Sequence, residues 1–242
     1  MINELNVLAI IPARGGSKRI PKKNIKPLCG KPLMQYSVEH ALGSQYIDRT
    51  IVSTDSEEIA ELSKTLGAEV PFLRPPEIAG DSSTDFDAFF HALTELKERE
   101  GYVPDIIVQL RPTSPMRTVA QVDLSIELLV KHPEADSVRT VTRPEQSPYK
   151  MFTVNEETGF LEPLIKLGND EAYNKQELSL PKAYKHVGYI DTIWAKTILE
   201  KKVMSGNMVP MMLDEAYSGI NQPNDWDLYE YLMDQHNKKN NG

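Results

Sequence analysis

The chain is nearly without cysteine: Cys29 is the single one in 242 residues. An internal disulfide is thereby excluded, and a lone thiol fits a reducing compartment. No run of 18 apolar residues occurs, which removes the pattern of a membrane-spanning helix. The N-terminus shows no basic stretch ahead of an apolar one, as a secretory leader would. These readings place the protein in the cytoplasm, with no membrane partner. Positive charge is in deficit, with 27 Lys and Arg against 35 Asp and Glu and a formal net charge of −8. That balance argues against general nucleic-acid binding, which leaves a basic footprint. The Gly-x-x-x-x-Gly-Lys-Ser/Thr of a P-loop and the Gly-x-Gly-x-x-Gly of a dinucleotide site are both missing. No cluster of histidine and cysteine offers zinc ligands.

What the chain does have is a concentrated cationic loop. The apolar run Val7–Pro12 reads as a first strand and empties into Ala13, Arg14, Gly15, Gly16, Ser17, Lys18, Arg19, Ile20, Pro21, Lys22, Lys23 and Asn24. In an α/β protein the loop after the first strand lies at the carboxyl edge of the sheet, where ligands bind. Adjacent glycines let backbone amides approach an anion, and five cations neutralise a polyphosphate. Local positive charge in an acidic chain points to a small anion, a nucleoside triphosphate, rather than a polymer.

Strand-like and helical patterns alternate through the first two thirds. Helices are expected over Leu33–Gly43 (ended by a glycine cap), Glu57–Leu66 (capped by Asp55 or Ser56), Asp85–Glu100 and Val119–Lys131. Strands are expected over Arg49–Thr54, Glu69–Leu73 and Asp105–Leu110. The alternation predicts an α/β fold with a doubly wound, mostly parallel sheet in one domain spanning 1–242. From Arg143 to Lys185 prolines and mixed polar residues dominate, with Met151–Val154 as a short strand candidate. So long an irregular segment reads as a functional or dimerisation excursion. Regular structure returns with strands Tyr184–Ile193 and Met208–Leu213 and helices Trp194–Lys201 and Asp225–His236, ahead of a frayed tail at Asn237–Gly242.

The stretch from Ile11 through Ile25 resembles the opening motif of the acylneuraminate cytidylyltransferases, the CMP-sialic acid synthetases and their relatives. Further matches follow in family order: Gly30-Lys31-Pro32-Leu33, Ile51-Val52-Ser53-Thr54-Asp55, Phe72-Leu73-Arg74-Pro75, and Arg111-Pro112-Thr113-Ser114-Pro115-Met116-Arg117-Thr118. The resemblance covers nearly the whole chain. It implies a Rossmann-like nucleotidyltransferase fold and the transfer of CMP from CTP to the anomeric hydroxyl of a nonulosonic, sialic-acid-like sugar acid, with release of pyrophosphate. By resemblance Arg14 and Lys23 are the catalytic grips on the triphosphate. Ala13, Gly15, Gly16, Ser17, Asn24, Arg74 and Asp85 complete the nucleotide site. Arg111, Thr113, Ser114, Lys175 and Tyr189 are the candidates for the sugar. Arg117 is read as either a structural anchor or a substrate contact, and His91 as a core histidine. The resemblance also implies Mg²⁺ and a homodimer.

The pattern departs from the family in the second half. Gly219 and Asn221 stand where relatives carry two metal-holding aspartates, so the metal candidates are Asn221 and Asp191, and a neutral amide is a weaker ligand than a carboxylate. Glu177 stands at the position of an arginine that meets a sugar-acid carboxylate, with Lys175 or Lys182 available to compensate. Val187-Gly188 replaces Asn-Gly, and Arg111 stands where sialic acid enzymes often carry Gln. The alternatives are accordingly a Kdo-type or other sugar nucleotidyltransferase, and a catalytically weak nucleotide-binding paralogue.

Overall fold

The apolar run after Asn6 forms strand β1 (Val7–Pro12), and its side-chain alternation separates the molecule into layers. Successive strand residues point to opposite faces. Val7, Ala9 and Ile11 enter one core, while Leu8 and Ile10 enter another. Both faces of the strand are covered, which is why the run is apolar throughout. The computed structural model describes residues 2, 4–168, 171–214 and 219–240.

The remaining strands of the central sheet are β2 (Arg49–Ser53), β3 (Ile106–Gln109), β4 (Ser137–Thr142), β5 (Lys185–Trp194) and β6 (Met208–Met212). Their spatial order is β6-β4-β5-β3-β1-β2. The pairs β1–β2, β1–β3 and β4–β6 are parallel, and β5 runs antiparallel to both of its neighbours. Helices α1 (Leu33–Gly43), α2 (Glu57–Thr65) and α4 (Val119–Lys131) supply residues to the first core. Helices α3 (Asp85–Glu100) and α5 (Ala195–Leu199) supply the second. A third, smaller cluster joins Ile20 of the cationic loop to Leu28, Leu33, Ile220 and to Trp226 and Tyr229 of α6 (Pro223–Asn240). The C-terminal helix thus holds the loop from behind.

Several expectations are corrected. The strand expected at Glu69–Leu73 is a single bridge between Ile51 and Glu69; Pro71 has no amide to donate, and the chain turns so that Arg74 N donates to Thr54 O at 2.7 Å. Strand β4 has no counterpart in the sequence reading, because its polar residues hide their burial: Ser137 and Thr140 are fully buried. They are satisfied by donating to Ser205 O and Ile190 O. Gly43 is not a left-handed cap. It ends α1 under Val119, whose Cγ2 would lie 3.0 Å from a Cβ placed there. Of the two cap candidates before α2, Ser56 accepts from Ile59 N, while Asp55 turns to the cationic loop. The excursion carries a short hairpin, Phe152–Val154 against Leu161–Pro163. Helix α6 extends beyond its expected end at His236 to Asn240, and 241–242 of the expected tail lie outside the described residues.

His40 on α1 records the cost of this packing. Its Nδ1 is buried without a partner, and burial, followed by the charges of Arg117 and Lys31, pushes its pKa down to about 3. Between an unfolded-state pKa near 6.5 and that value, the unfolded chain binds a proton that the folded chain does not. Stability from this residue is therefore full above about pH 6.5 and declines as pH falls toward 3. Urea unfolding of His40→Phe is expected to show a shallower loss of stability between pH 6.5 and 4 than the parent; an identical slope would assign the acid sensitivity elsewhere.

Candidate active site

At the carboxyl edge of the sheet the chain leaves β1 through Ala13, whose N–H still donates to Ser53 O of β2 at 3.0 Å. Gly15 N–H then donates to Asp55 Oδ1 at 2.8 Å, and a Cβ at Gly15 would stand 3.0 Å from Ser56 Cβ. The glycine is needed for this close approach, and its amide faces Asp55 instead of open space. Asn24 is buried and donates from Nδ2 to Arg14 O at 2.9 Å, pinning the loop across its base.

The loop opens onto a cavity of about 620 Å³ lined by Arg14, Ser17, Lys18, Arg19, Lys23 and Asn24, with Arg74, Asp81, Asp85, Arg111, Thr113 and Asn221 completing the walls. Ala13, Gly15 and Gly16 do not line it, so the loop faces the cavity with cationic side chains rather than with the expected glycine amides. Lys22 is turned away and pairs with Glu58. Arg14 donates to Gly80 O at 2.8 Å and pairs with Asp81, which Lys18 also meets. Lys23 Nζ donates to Ile220 O at 3.0 Å. Its pKa is lowered, first by burial and then by Arg14 and Arg19, with Asp225 opposing. Arg74 is no exposed loop cation: it is buried, with its guanidinium on Ser53 Oγ and Ser53 O.

A second cavity of about 240 Å³ adjoins the first, sharing Arg111, Thr113 and Asn221, and is closed by Ser114, His186, Val187, Gly188 and Gly219. Arg111 stands between the two. Its Nη2 donates to Asp85 Oδ2 at 2.6 Å and its Nη1 to Asp191 Oδ2 at 3.0 Å. Gly188, at φ +66°, makes room for it, since a Cβ there would lie 2.6 Å from Arg111 Nη1. Burial works to raise the pKa of Asp85, but Arg111 and Gln109 outweigh it and the net shift is downward. Tyr189 is buried and lines neither cavity, and Lys175 lines neither. His186 and Asp81 were not singled out from the sequence. Lys185-His186 leading into Val187-Gly188 was the available signal for the first, whereas nothing local marks Asp81.

The metal candidates do not assemble. Asp191 is fully buried, with Arg111 and Arg139 on one oxygen and His186 Nε2 at 2.9 Å from the other. Its pKa is lowered because His186, Arg111 and Arg139 outweigh burial. Asn221 uses its N–H on Asp225 Oδ2 and its Nδ2 on Gly219 O. A Cβ at Gly219 would stand 3.0 Å from Thr113 Oγ1 and 3.1 Å from Thr113 O, so an aspartate there requires the backbone to move. Among the described residues no group of three or more His, Cys, Asp or Glu is placed to hold a metal. Among the described residues these candidates do not make a protein-held Mg²⁺ site, which usually takes one or two carboxylates beside substrate phosphates.

A mostly parallel sheet with a cation-lined cavity at its carboxyl edge makes this an α/β protein whose cavity lies where such folds take their ligands. A family model described as cytidylyltransferase matches residues 8–209. The CMP-N,N'-diacetyllegionaminic acid synthase of Legionella pneumophila is 31% identical over 95% of this chain and 97% of its own. The pseudaminic acid cytidylyltransferase of Campylobacter jejuni is 32% identical over 75% of each. Among solved structures, a CMP:2-keto-3-deoxy-manno-octonic acid synthetase complexed with CTP superposes with a TM-score of 0.71 at 17% identity, covering 96% of this chain and 99% of that one. That last likeness is one of fold. The chain belongs to the cytidylyltransferase family and is a nucleotidyltransferase.

Lys23→Gln is expected to lower CTP affinity about tenfold, the loss of one charge-assisted contact, as read by calorimetry. Because the pKa of Lys23 lies below that of an ordinary lysine, CTP affinity in the parent falls as pH rises through the lowered value. In the variant that decline is absent; its persistence would place the titrating cation elsewhere.

Proposed function

We propose that this chain transfers CMP from CTP to the anomeric hydroxyl of a nonulosonic acid. The observation that carries the reading is the pair of joined cavities, one ringed by cations suited to a triphosphate and the other sharing Arg111, Thr113 and Asn221 with it. An acceptor in the second cavity reaches the nucleotide across those shared residues. The oxygen–phosphorus bond forms at the α-phosphate as the bond to pyrophosphate breaks, and the hydroxyl proton is released. Arg14 and Lys23 hold the triphosphate and offset the charge that builds on it, so rate comes chiefly from positioning and electrostatics. Relatives named for legionaminic and pseudaminic acids support the acceptor class. Any Mg²⁺ then enters with the nucleotide rather than from ligands on the protein.

The same reading includes a homodimer and a cytoplasmic location. The excursion leaves Phe160, Leu161 and Val154 more than half exposed and Leu178 almost fully so, an apolar surface that a second copy would cover. The free Cys29 agrees with a reducing compartment. Among the described residues no helix is long and apolar enough to cross a membrane.

Pyrophosphate release with CTP and Mg²⁺ against sialic, legionaminic and pseudaminic acids and Kdo is the deciding assay. Turnover with one of the nonulosonic acids is expected. Turnover with Kdo alone would move the assignment to a Kdo-type enzyme, and CTP binding without turnover on any acid would overturn it. Light scattering at micromolar concentration is expected to give twice the chain mass of 27.3 kDa; a monomer would remove the dimer from the reading.

A further inference from the structure

Among the described residues, Arg117 is a buried charge that the chemistry above does not use. Arg117 sits just before Thr118, the N-cap of α4, and is among the largest fully buried side chains of the molecule. Its described hydrogen bonds all go to neutral oxygens. Nη1 donates to Tyr189 O at 2.5 Å, and Nη2 donates to Ser37 Oγ at 2.6 Å and to Arg111 O. Its Nε is buried with no partner. Burial lowers its pKa to about 9, which leaves it charged at neutral pH. A guanidinium this deep with no carboxylate hydrogen-bonded to it is unfavourable for folding. What it accomplishes is visible in the two carbonyls it holds.

The Arg111 carbonyl belongs to one wall of the second cavity, and Tyr189 follows directly on the β5 segment that forms another. The turn after β3 provides Arg111, Thr113 and Ser114; strand β5 provides His186, Val187 and Gly188. We propose that Arg117 is a positioning residue that sets the spacing of these two walls, one terminal nitrogen on the Arg111 carbonyl and the other on the Tyr189 carbonyl. Ser37 supports the same point, its hydroxyl donating to Arg111 O at 3.2 Å. The contacts that depend on this spacing have little tolerance. The Arg111 guanidinium lies against the open side of Gly188, within 2.6 Å of where a Cβ would be. It reaches Asp191 Oδ2 at 3.0 Å from the same position. The Thr113 carbonyl takes Ile220 N–H at 2.9 Å, which carries the setting on to Gly219 and Asn221 at the floor. Lysine does not replace this residue, because an ammonium is a single point whereas guanidinium presents two terminal nitrogens in a rigid plane.

The kinetic consequence rests on the reading of the second cavity as the acceptor's place; the spacing itself does not. Arg117→Lys tests both. In hydrogen exchange, the amides of the non-proline residues of 113–117 and of 187–191 are expected to exchange about tenfold faster in the variant, the loss expected from one charged hydrogen bond, while those of the non-proline residues of 14–24 are unchanged. In kinetics, KM for the sugar acid is expected to rise about tenfold while the calorimetric Kd for CTP stays within about twofold. Turnover by the parent protein tests the function, and the exchange comparison tests Arg117 whether or not the panel yields a substrate. Uniform loosening of all three segments, or CTP affinity falling in step with the sugar KM, would make Arg117 a general stabiliser and overturn the proposal. Unchanged exchange in both walls would overturn it as well. Should Arg117→Lys not fold, Ser37→Ala removes only the shared hydroxyl. It is expected to shift the same two segments in the same direction by about threefold; no selective shift there would count against the proposal.

Discussion

The guanidinium of Arg111 joins Asp85 at the start of α3 to Asp191 on β5, and the two cavities are organised around that bridge. Asp85 comes from α3 and Asp191 from β5, and the two terminal nitrogens of one planar guanidinium meet both. Asp191 is fully buried and takes Arg139 and His186 in addition, so the chain of charges continues inward from the site to β4. Buried ion pairs are poor evidence for stability, because desolvation consumes much of their attraction, but removing one member strands the others and costs about 3–5 kcal/mol. The network is therefore better understood as a device for geometry: it fixes where β5, the one antiparallel strand of the sheet, stands relative to the turn that follows β3.

Charge balance explains how an acidic protein presents a cationic cavity. Asp81 is paired with Arg14 and Lys18, Asp85 with Arg111, and Asp225 accepts from the backbone of Asn221 and Gln222 at the start of α6. The wall carboxylates Asp81 and Asp85 are thus already opposed by cations. Lys23 shows what the crowding does, its pKa lowered by burial and by neighbouring arginines. A polyanion entering the cavity relieves that repulsion, which gives binding a driving force concentrated on the ligand's charge.

The same economy bears on the departures from the resembled family. Gly219 is packed against Thr113 so closely that a side chain has no room, and Asn221 is tied into the turn that begins α6. These residues behave as parts of the wall, held by the packing around them. The relatives named for legionaminic and pseudaminic acids are matched over 95% and 75% of the chain.

Strand β1, the loop after it and the helices with clear apolar periodicity were legible in the sequence, because their signals are local: a doubly buried strand is apolar throughout, and clustered cations are visible wherever they fold. Arg14, Lys23, Arg74, Asp85 and Arg111 line one cavity. Strand β4 was not legible, since Ser137 and Thr140 look exposed until the hydrogen bonds that bury them are known. The direction of the Gly15 amide, the occupation of both Asp191 oxygens, and the placement of Tyr189 away from the cavities were equally hidden. By itself the sequence determined the layer arrangement and the chemistry of the loop, because periodicity and composition act over neighbouring residues. Only the tertiary structure decided which charges cancel and which face the ligand, because each such choice depends on a partner dozens of residues away, as Arg111 depends on Asp191 and Arg117 on Tyr189.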